Sequence, residues 1–350
     1  EYKHFTPYIE SKESTVFPPN FFIFEDIENR LWVHPRGGGF SIYDKDGDSL
    51  IPFYNEPFST NWMFSNMLHA AYSDRQGNLW MCTRSHGLEK VIFYDDSQFL
   101  SIALNKKVNS TINNDVRPIF EDSDGLIWVA TKDGEIHIIN KIGDIKRGVS
   151  IDGVVYSITE DSQNNIWLGT KGEGAYKLTR IQGIEGFNIH QYKHNPNDIY
   201  SLSDNNVYSI FEDDNRNIWI GTFGGGINLL MDSGSDEKFI NHNNELKNYP
   251  IAKGDQVRII SEDKHKNISV GTTLGFIMFC SDFNSPTEIE FNVYTGSNSN
   301  DYSIGANDIM DICTTSQGET YIGTFGGGIS KITETDENGL PIAFETFNTT

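Results

Sequence analysis

The sequence predicts an all-β fold, a seven-bladed β-propeller of four-stranded antiparallel blades. Three observations predict it. A segment of the type Asn206–Leu230, NVYSIFEDDNRNIWIGTFGGGINLL, recurs seven times. Its runs are short and rich in β-branched and aromatic residues, which suits strands. Its period is that of one small sheet: aligned on the residue that leads the second run, the copies give Trp32, Trp80, Trp128, Trp167, Trp219, Ser269 and Tyr321, spaced by 48, 48, 39, 52, 50 and 52 residues. Small sheets repeated radially make a propeller. A single domain over 1–350 is the economical reading, with blade cores near 21–43, 68–94, 116–139, 155–178, 207–230, 257–279 and 309–332.

Naming the strands of each blade A to D, strand A carries an aliphatic residue two positions before an acid or its equivalent: Ile23, Ala71, Ile119, Ile158, Ile210, Ile260 and Ile312. A blade is covered on both faces by its neighbours, so inner strands read as near-continuous apolar runs. The A–B turn reads Asp122-Ser123-Asp124-Gly125 or Asp213-Asp214-Asn215-Arg216-Asn217. Asp and Asn there bond their own backbone and tolerate left-handed geometry. Strand B is Ile218–Thr222 in the clearest copy and strand C is Ile227–Leu230. The rim strand D varies most: Ile51–Tyr54, Phe99–Ile102, Phe187–Tyr192, Phe239–Asn241, Ile289–Tyr294 and Phe344–Phe347, with Ile145–Val149 the weakest. Tyr2–Tyr8 is one further strand-like piece that could close the last blade. Asp232–Lys253 and Ser281–Tyr302 read mostly as polar loops.

Composition narrows the function classes. Charged residues are 22%, hydrophobic 37% and aromatic 13%, with 32 glycines, as expected of strands joined by tight turns. Net charge is −22, which repels phosphate backbones and anionic headgroups. Nucleic acid and direct membrane contact are therefore not expected. No apolar run approaches the roughly 18–20 residues of a membrane span. Glu1–Phe5 lack the features of a secretory signal, so a signal would have been removed or lie outside this sequence. The three cysteines, Cys82, Cys280 and Cys313, share no close spacing, and three buried small side chains are expected.

The motif I-x-E-D-x-x-x-N-I-W-I-G-T-x-G-G-G, best in Ile158–Gly174 and Ile210–Gly226 and less complete in Ile119–Gly134, resembles the two-component regulator propeller repeat of bacterial hybrid sensor kinases. Departures are Ser269 and Tyr321 in place of Trp, Thr314-Thr315 in place of Glu-Asp, and His34-Pro35 in the first copy. The resemblance implies a non-catalytic periplasmic ectodomain of an inner-membrane protein. It also implies an oligosaccharide ligand, a second propeller and an immunoglobulin-like domain in the same chain, a homodimer in the intact sensor, and a histidine kinase beyond this region.

Four constellations invite a chemical reading. The Glu-Asp pairs (Glu25-Asp26, Glu121-Asp122, Glu160-Asp161, Glu212-Asp213, Glu262-Asp263) could do the acid–base work of a glycosidase. Their recurrence at one turn points instead to the turn. Gly221–Gly226 and Gly323–Gly328 lack the helix that a phosphate loop requires. Asp44-Lys45-Asp46-Gly47-Asp48 resembles half a calcium loop but has neither the glycine at its sixth position nor the glutamate at its twelfth, where Asn55 stands. No zinc-protease helix, nucleophile elbow or grouped His/Cys set occurs. No cofactor, metal site or catalytic residue is therefore expected.

Positions that break a repeat column are free for binding. Four residues after the strand-B aromatic, in the B–C loop, the column reads Arg36, Arg84, Lys132, Lys171, Phe223, Thr273 and Phe325. Near the start of strand A it reads Phe21, His69, Arg117, Tyr156, Tyr208, Arg258 and Met310. Both columns belong at the same end of a blade. Four consecutive cations in a chain with only 27 Lys and Arg suggest an anionic ligand group. Arg forks suit carboxylate or sulfate, and Phe and Tyr faces suit sugar C–H surfaces. The bland alternative pairs these cations with Asp133, Glu173 and Glu135. The competing functions are a glycan lyase or hydrolase, with His69, His86 and Tyr156 its best residues, and a pure interaction scaffold.

Overall fold

The computed structural model describes residues 22–26, 29–34, 39–44, 49–53, 67–84, 87–92, 98–102, 104, 115–140, 145–181, 186–232, 237–297 and 302–347. They form seven four-stranded antiparallel sheets, each with its strands in sequence order, the blades of a seven-bladed β-propeller. Blade 1 is Phe22–Glu25, Leu31–His34, Phe40–Asp44 and Ser49–Phe53, and blade 2 is Leu68–Ser73, Leu79–Thr83, Leu88–Ile92 and Gln98–Ile102. Blade 3 is Val116–Glu121, Ile127–Thr131, Glu135–Ile139 and Ile145–Ser150. Blade 4 is Val154–Glu160, Ile166–Lys171, Ala175–Arg180 and Phe187–Tyr192, and blade 5 is Val207–Glu212, Ile218–Thr222, Gly226–Asp232 and Glu237–Ile240. Blade 6 is Val257–Glu262, Asn267–Thr272, Phe276–Cys280 and Asn292–Tyr294, and blade 7 is Ile309–Thr314, Thr320–Thr324, Gly328–Thr335 and Pro341–Phe347. One compact unit ends at Val155 and holds blades 1–3, and a second begins at Tyr156 and holds blades 4–7.

Several boundaries differ from the sequence reading. The rim strand of blade 3 is complete, pairing from Glu135↔Ser150 to Ile139↔Ile145. That of blade 6 is shorter than Ile289–Tyr294: Pro286 starts a 3-10 turn capped by Ser285, and Ile289 closes it before the strand begins at Asn292. The rim strand of blade 5 ends at Ile240 because Asn241 turns to bond Asn244 and Ser201. A helical turn, Ile251–Gly254, interrupts the stretch read as loop. Cys82 is buried, but Cys280 is exposed and Cys313 half-buried, so the expectation of three buried thiols fails for two. The suggested strand Tyr2–Tyr8 and most of the half calcium loop lie outside the described residues. Blade 7 takes its rim strand from Pro341–Phe347.

The Glu-Asp pairs prove structural, and each carboxylate has its own role. The aspartate holds the A–B turn. Asp213 Oδ1 accepts the backbone N–H of Asn215 (3.0 Å) and Asn217 (2.8 Å), and the residue three after the aspartate turns left-handed. That residue is Asn29, Asn164, Arg216 or Lys266 in four blades and Gly77, Gly125 or Gly318 in the others. The other oxygen accepts the indole N–H of the strand-B tryptophan at 2.8–2.9 Å, in the pairs Trp32–Asp26, Trp80–Asp74, Trp128–Asp122, Trp167–Asp161 and Trp219–Asp213. The buried indole thereby loses no hydrogen bond on leaving water. The glutamate ties neighbouring turns together: Glu121 accepts from Tyr72 and Arg75 of the preceding blade, Glu212 from Ser162, and Glu262 from Asp214.

Each core lies between blades. Trp32 packs on Leu68, Leu79 and Met81 of blade 2, and Trp80 on Val116, Ile127 and Val129 of blade 3. In the second unit Trp167 packs on Val207 and Ile210, and Trp219 on Val257, Ile260 and Phe279. The strand-B glycine allows the close approach: a Cβ on Gly221 would fall 2.5 Å from Val257 of the next blade.

Blade 1 breaks this scheme and repairs it. His34 stands where blades 4–7 have the strand-B glycine and blades 2 and 3 have Cys82 and Ala130, and Pro35 where the others have threonine. Elsewhere that threonine's hydroxyl closes the B–C loop on a carbonyl, as Thr222 Oγ1 does on Gly226 O at 2.8 Å. In blade 1 the equivalent carbonyl, Gly39 O, is met by His34 Nδ1, which must carry the proton because a carbonyl only accepts. The imidazole is fully buried and stacks on Phe22. Burial, chiefly, pushes its pKa down to about 4. Between pH 6.5 and 4 the unfolded chain therefore binds a proton that the folded one does not. Stability contributed by the neutral ring is complete above pH 6.5 and is lost as the pH falls towards 4, by up to about 3 kcal/mol. Urea unfolding of the first unit at pH 7 and pH 4.5 should show this loss. His34→Gln should flatten it, and an unchanged slope would refute the assignment.

Candidate functional site

The two candidate columns share one end of each blade because a backbone hydrogen bond joins them. The N–H that follows the strand-B threonine bonds the carbonyl preceding strand A: Arg84 to Met67, Lys132 to Asp115, Phe223 to Asn206, Thr273 to Gln256 and Phe325 to Asp308. Next along strand A the pairing slips. In blades 2, 5, 6 and 7 the register steps from Leu68 to Ala70, Val207 to Ser209, Val257 to Ile259 and Ile309 to Asp311. His69, Tyr208, Arg258 and Met310 are therefore the extra residues of β-bulges, and Arg117 lies in the same irregularity of blade 3. A bulge re-aims its side chain, which frees this column from the core.

In the first unit the cations gather on one buried carboxylate. Asp115, 6% exposed, meets His69 Nε2 at 2.7 Å and Lys132 Nζ at 3.5 Å, and the Arg117 guanidinium adds its field. Burial pushes the Asp115 carboxyl up, but His69, Arg117 and Lys132 outweigh it and hold it below its usual range. Lys132 thus pairs with the residue at the entry of strand A, and not with Asp133 or Glu135 as the bland reading supposed. Asp133 instead accepts the Thr131 hydroxyl. Arg84 is exposed, and among the described residues it makes no ion pair. Arg36, Phe21 and His86 lie outside the described residues.

In the second unit the aromatic column is a stack. Tyr156 and Tyr208 lie parallel with centroids 4.2 Å apart, and Tyr208 and Phe223 follow at 4.9 Å. The Arg258 guanidinium covers Phe223 at 5.4 Å and is held by Asp308 at 3.1 Å. Tyr208 therefore has a ring on each face, and Phe223 has a ring on one face and a cation on the other. This corrects the expectation that these faces are open to sugar C–H surfaces. Arg258 is likewise committed to Asp308. What this end presents outward is Phe325, 41% exposed, and Lys171, exposed and without an ion pair among the described residues. Glu173, expected to neutralise Lys171, is taken by Lys193 at 2.6 Å.

Sequence reasoning missed Asp115 and Asp308. Both occupy the residue before strand A, whose equivalents are Met67, Asn206 and Gln256. Comparing that third column by charge would have set Asp115 beside Arg117 and Lys132 of its own blade, but not Asp308, whose partner Arg258 lies one blade earlier. Among the described residues no three His, Cys, Asp or Glu side chains could hold a metal, and no helix is long and apolar enough to cross a membrane.

The model of the two component regulator propeller matches at residues 110–133, 150–172 and 201–224, the strand A–B segments of blades 3, 4 and 5. These three segments of the chain match the two-component regulator propeller repeat. No curated protein matches it. Solved structures similar to this regulator propeller include the extracellular domain assigned to a hybrid two-component system of B. thetaiotaomicron, at 21% identity and a TM-score of 0.50 over 92% of this chain and 41% of that one. Virginiamycin B lyase of Staphylococcus aureus is similar at 13% identity and 0.61, over 88% and 92% of the two chains. PorZ of Porphyromonas gingivalis, a surface component of the type-IX secretion system, is similar at 14% and 0.61, over 94% and 54%. At such identities the likeness is one of fold. The regulator propeller spans about two fifths of the length of the B. thetaiotaomicron domain.

Proposed function

We propose that this regulator propeller is the non-catalytic ligand-sensing part of a periplasmic hybrid two-component sensor, and that it recognises an anionic group of an oligosaccharide at the B–C loop end of its blades. The observation that carries the reading is the pair of cations in the first unit: Arg84 and Lys132, at one repeat position of successive blades, are both exposed in a chain of net charge −22. The repeat family and the extracellular neighbour support the sensor role. A kinase, an immunoglobulin-like domain, a second propeller and a homodimer belong to the same proposal for the intact protein. Calorimetry with a sulfated, uronic-acid-containing disaccharide, and with maltotriose as the neutral comparison, tests it. Arg84→Ala with Lys132→Ala should weaken the anionic ligand at least about tenfold, or about 1.4 kcal/mol, and unchanged affinity would sink the reading.

One observation favours a second reading, a lyase. His69 is held by Asp115 beside Lys132, an arrangement that could place a base next to electrophilic cations. Product formation from the same disaccharide, abolished in His69→Ala, would decide for it.

A further inference from the structure

Blade 6 lacks the repeat's tryptophan, and the positions equivalent to that tryptophan's partners line a cavity. In blade 5, Trp219 gives its indole N–H to Asp213 and its ring packs against Ile268 and, edge to face at 5.1 Å, against Phe279 of blade 6. Carried forward by one blade along the strand registers, these three partners become Asp263, Thr320 and Ile332, and the tryptophan becomes Ser269. Asp263, Thr320 and Ile332 line a cavity of about 320 Å³ between the A–B turn of blade 6 and strands B and C of blade 7.

The polar atoms around the missing ring are left over. Ser269 Oγ, Ser261 Oγ directly across the sheet from it, and Asn267 Oδ1 are buried with no hydrogen-bond partner. Ser269 is 1% exposed and Asn267 fully buried. Asn267 shares a face with Ser269 and reaches the cavity wall, since a Cβ on Gly339 would fall 2.9 Å from its Nδ2. Asp263 keeps its turn bonds to His265 and Asn267, but its Oδ2, the oxygen that takes the indole N–H in blades 1–5, has only Asn267 Nδ2 at 3.5 Å. Buried acceptors left without donors are costly, so a ligand that supplies a donor here regains part of what the fold has forgone.

We infer that this cavity is a binding site for a compact planar heterocycle with a ring N–H, an indole-class ligand, seated as the missing side chain would be and donating to Asp263. The site lies at the A–B turn end of the blades, away from the cation column, and does not depend on the proposed sensing of an anion. Where Ile268 walls Trp219, Thr320 stands here, and Glu319 and Lys331, which pair with each other, also line the cavity, which favours a ring with a polar edge over a plain hydrocarbon.

Calorimetry of the whole chain with indole itself tests this. The expected result is saturable binding of one indole per chain, with 1-methylindole, which has no N–H to donate, at least tenfold weaker. Ser269→Trp should fill the site, abolish indole binding and raise the melting temperature. Trp219→Ser should open a like niche in blade 5, and its lowered melting temperature should recover partly with indole. If the unaltered chain shows no saturable binding while Trp219→Ser is rescued, the blade 6 site is refuted. Equal affinity for 1-methylindole would overturn the role given to Asp263.

Discussion

Asp213→Ala is expected to destabilise the second unit by about 4 kcal/mol, and Asp263→Ala by roughly half as much. Asp213 is 3% exposed and serves four donors: the backbone of Asn215 and Asn217, the Asn217 side chain at 2.9 Å and the Trp219 indole at 2.8 Å. Alanine would leave a fully buried indole N–H without an acceptor and release a turn whose fourth residue, Arg216, sits at φ 68°. That left-handed geometry is costly for a side chain with a Cβ unless the turn is held. Asp263 supports the same turn, with Lys266 at φ 64°, but Ser269 asks nothing of its second oxygen. The difference between the two variants reads the indole bond together with the tighter Asn217 side-chain bond and the deeper burial of Asp213. Urea unfolding of both, followed by tryptophan fluorescence, measures it. Equal losses would mean that the tryptophan's hydrogen bond contributes nothing and that the turn alone accounts for the aspartate.

The same comparison shows why the fold was legible in the sequence and the site only partly so. The turn recurs in all seven blades, the indole acceptor in five and the inter-blade glycine in four, and all are local, so each copy corroborates the others. The rim strand of blade 6 was misjudged because Pro286 and Ser285 occur once and set a 3-10 turn with no repeat to average over. At the candidate site the strand-A column picks out His69, Arg117, Tyr208 and Arg258, which lie at bulges or register irregularities. A column lists residue types, however, and cannot say that Tyr208 lies between Tyr156 and Phe223, or that Arg258 is spent on Asp308. Tyr156–Tyr208 and Arg258–Asp308 run between blades, some 50 residues apart in the chain, and the stack depends on bulge geometry that no single-strand pattern encodes.

Gly174→Ala should cost about 3 kcal/mol or more, and Gly172→Ala only about 1 kcal/mol, although the two residues look interchangeable. Both lie in the B–C loop of blade 4, both have positive φ (76° and 89°), and both give their N–H to Asn205 O, at 2.9 and 3.1 Å. The strain of a Cβ in a left-handed conformation, about 1 kcal/mol, is therefore common to them. Space separates them. Around Gly172 a Cβ would meet nothing within 4 Å, whereas at Gly174 it would run into the backbone carbonyl of Tyr192. That carbonyl cannot rotate aside as a side chain would, because Tyr192 is paired with Ala175 at the end of the rim strand. Accommodating the methyl means parting strand D from strand C, which breaks main-chain hydrogen bonds and loosens Tyr192 from Trp167, on which it stacks at 5.6 Å. Thermal unfolding of the two variants side by side distinguishes the causes. A large loss at Gly174 alone assigns the glycine cluster to blade closure, while equal losses would return it to backbone strain only.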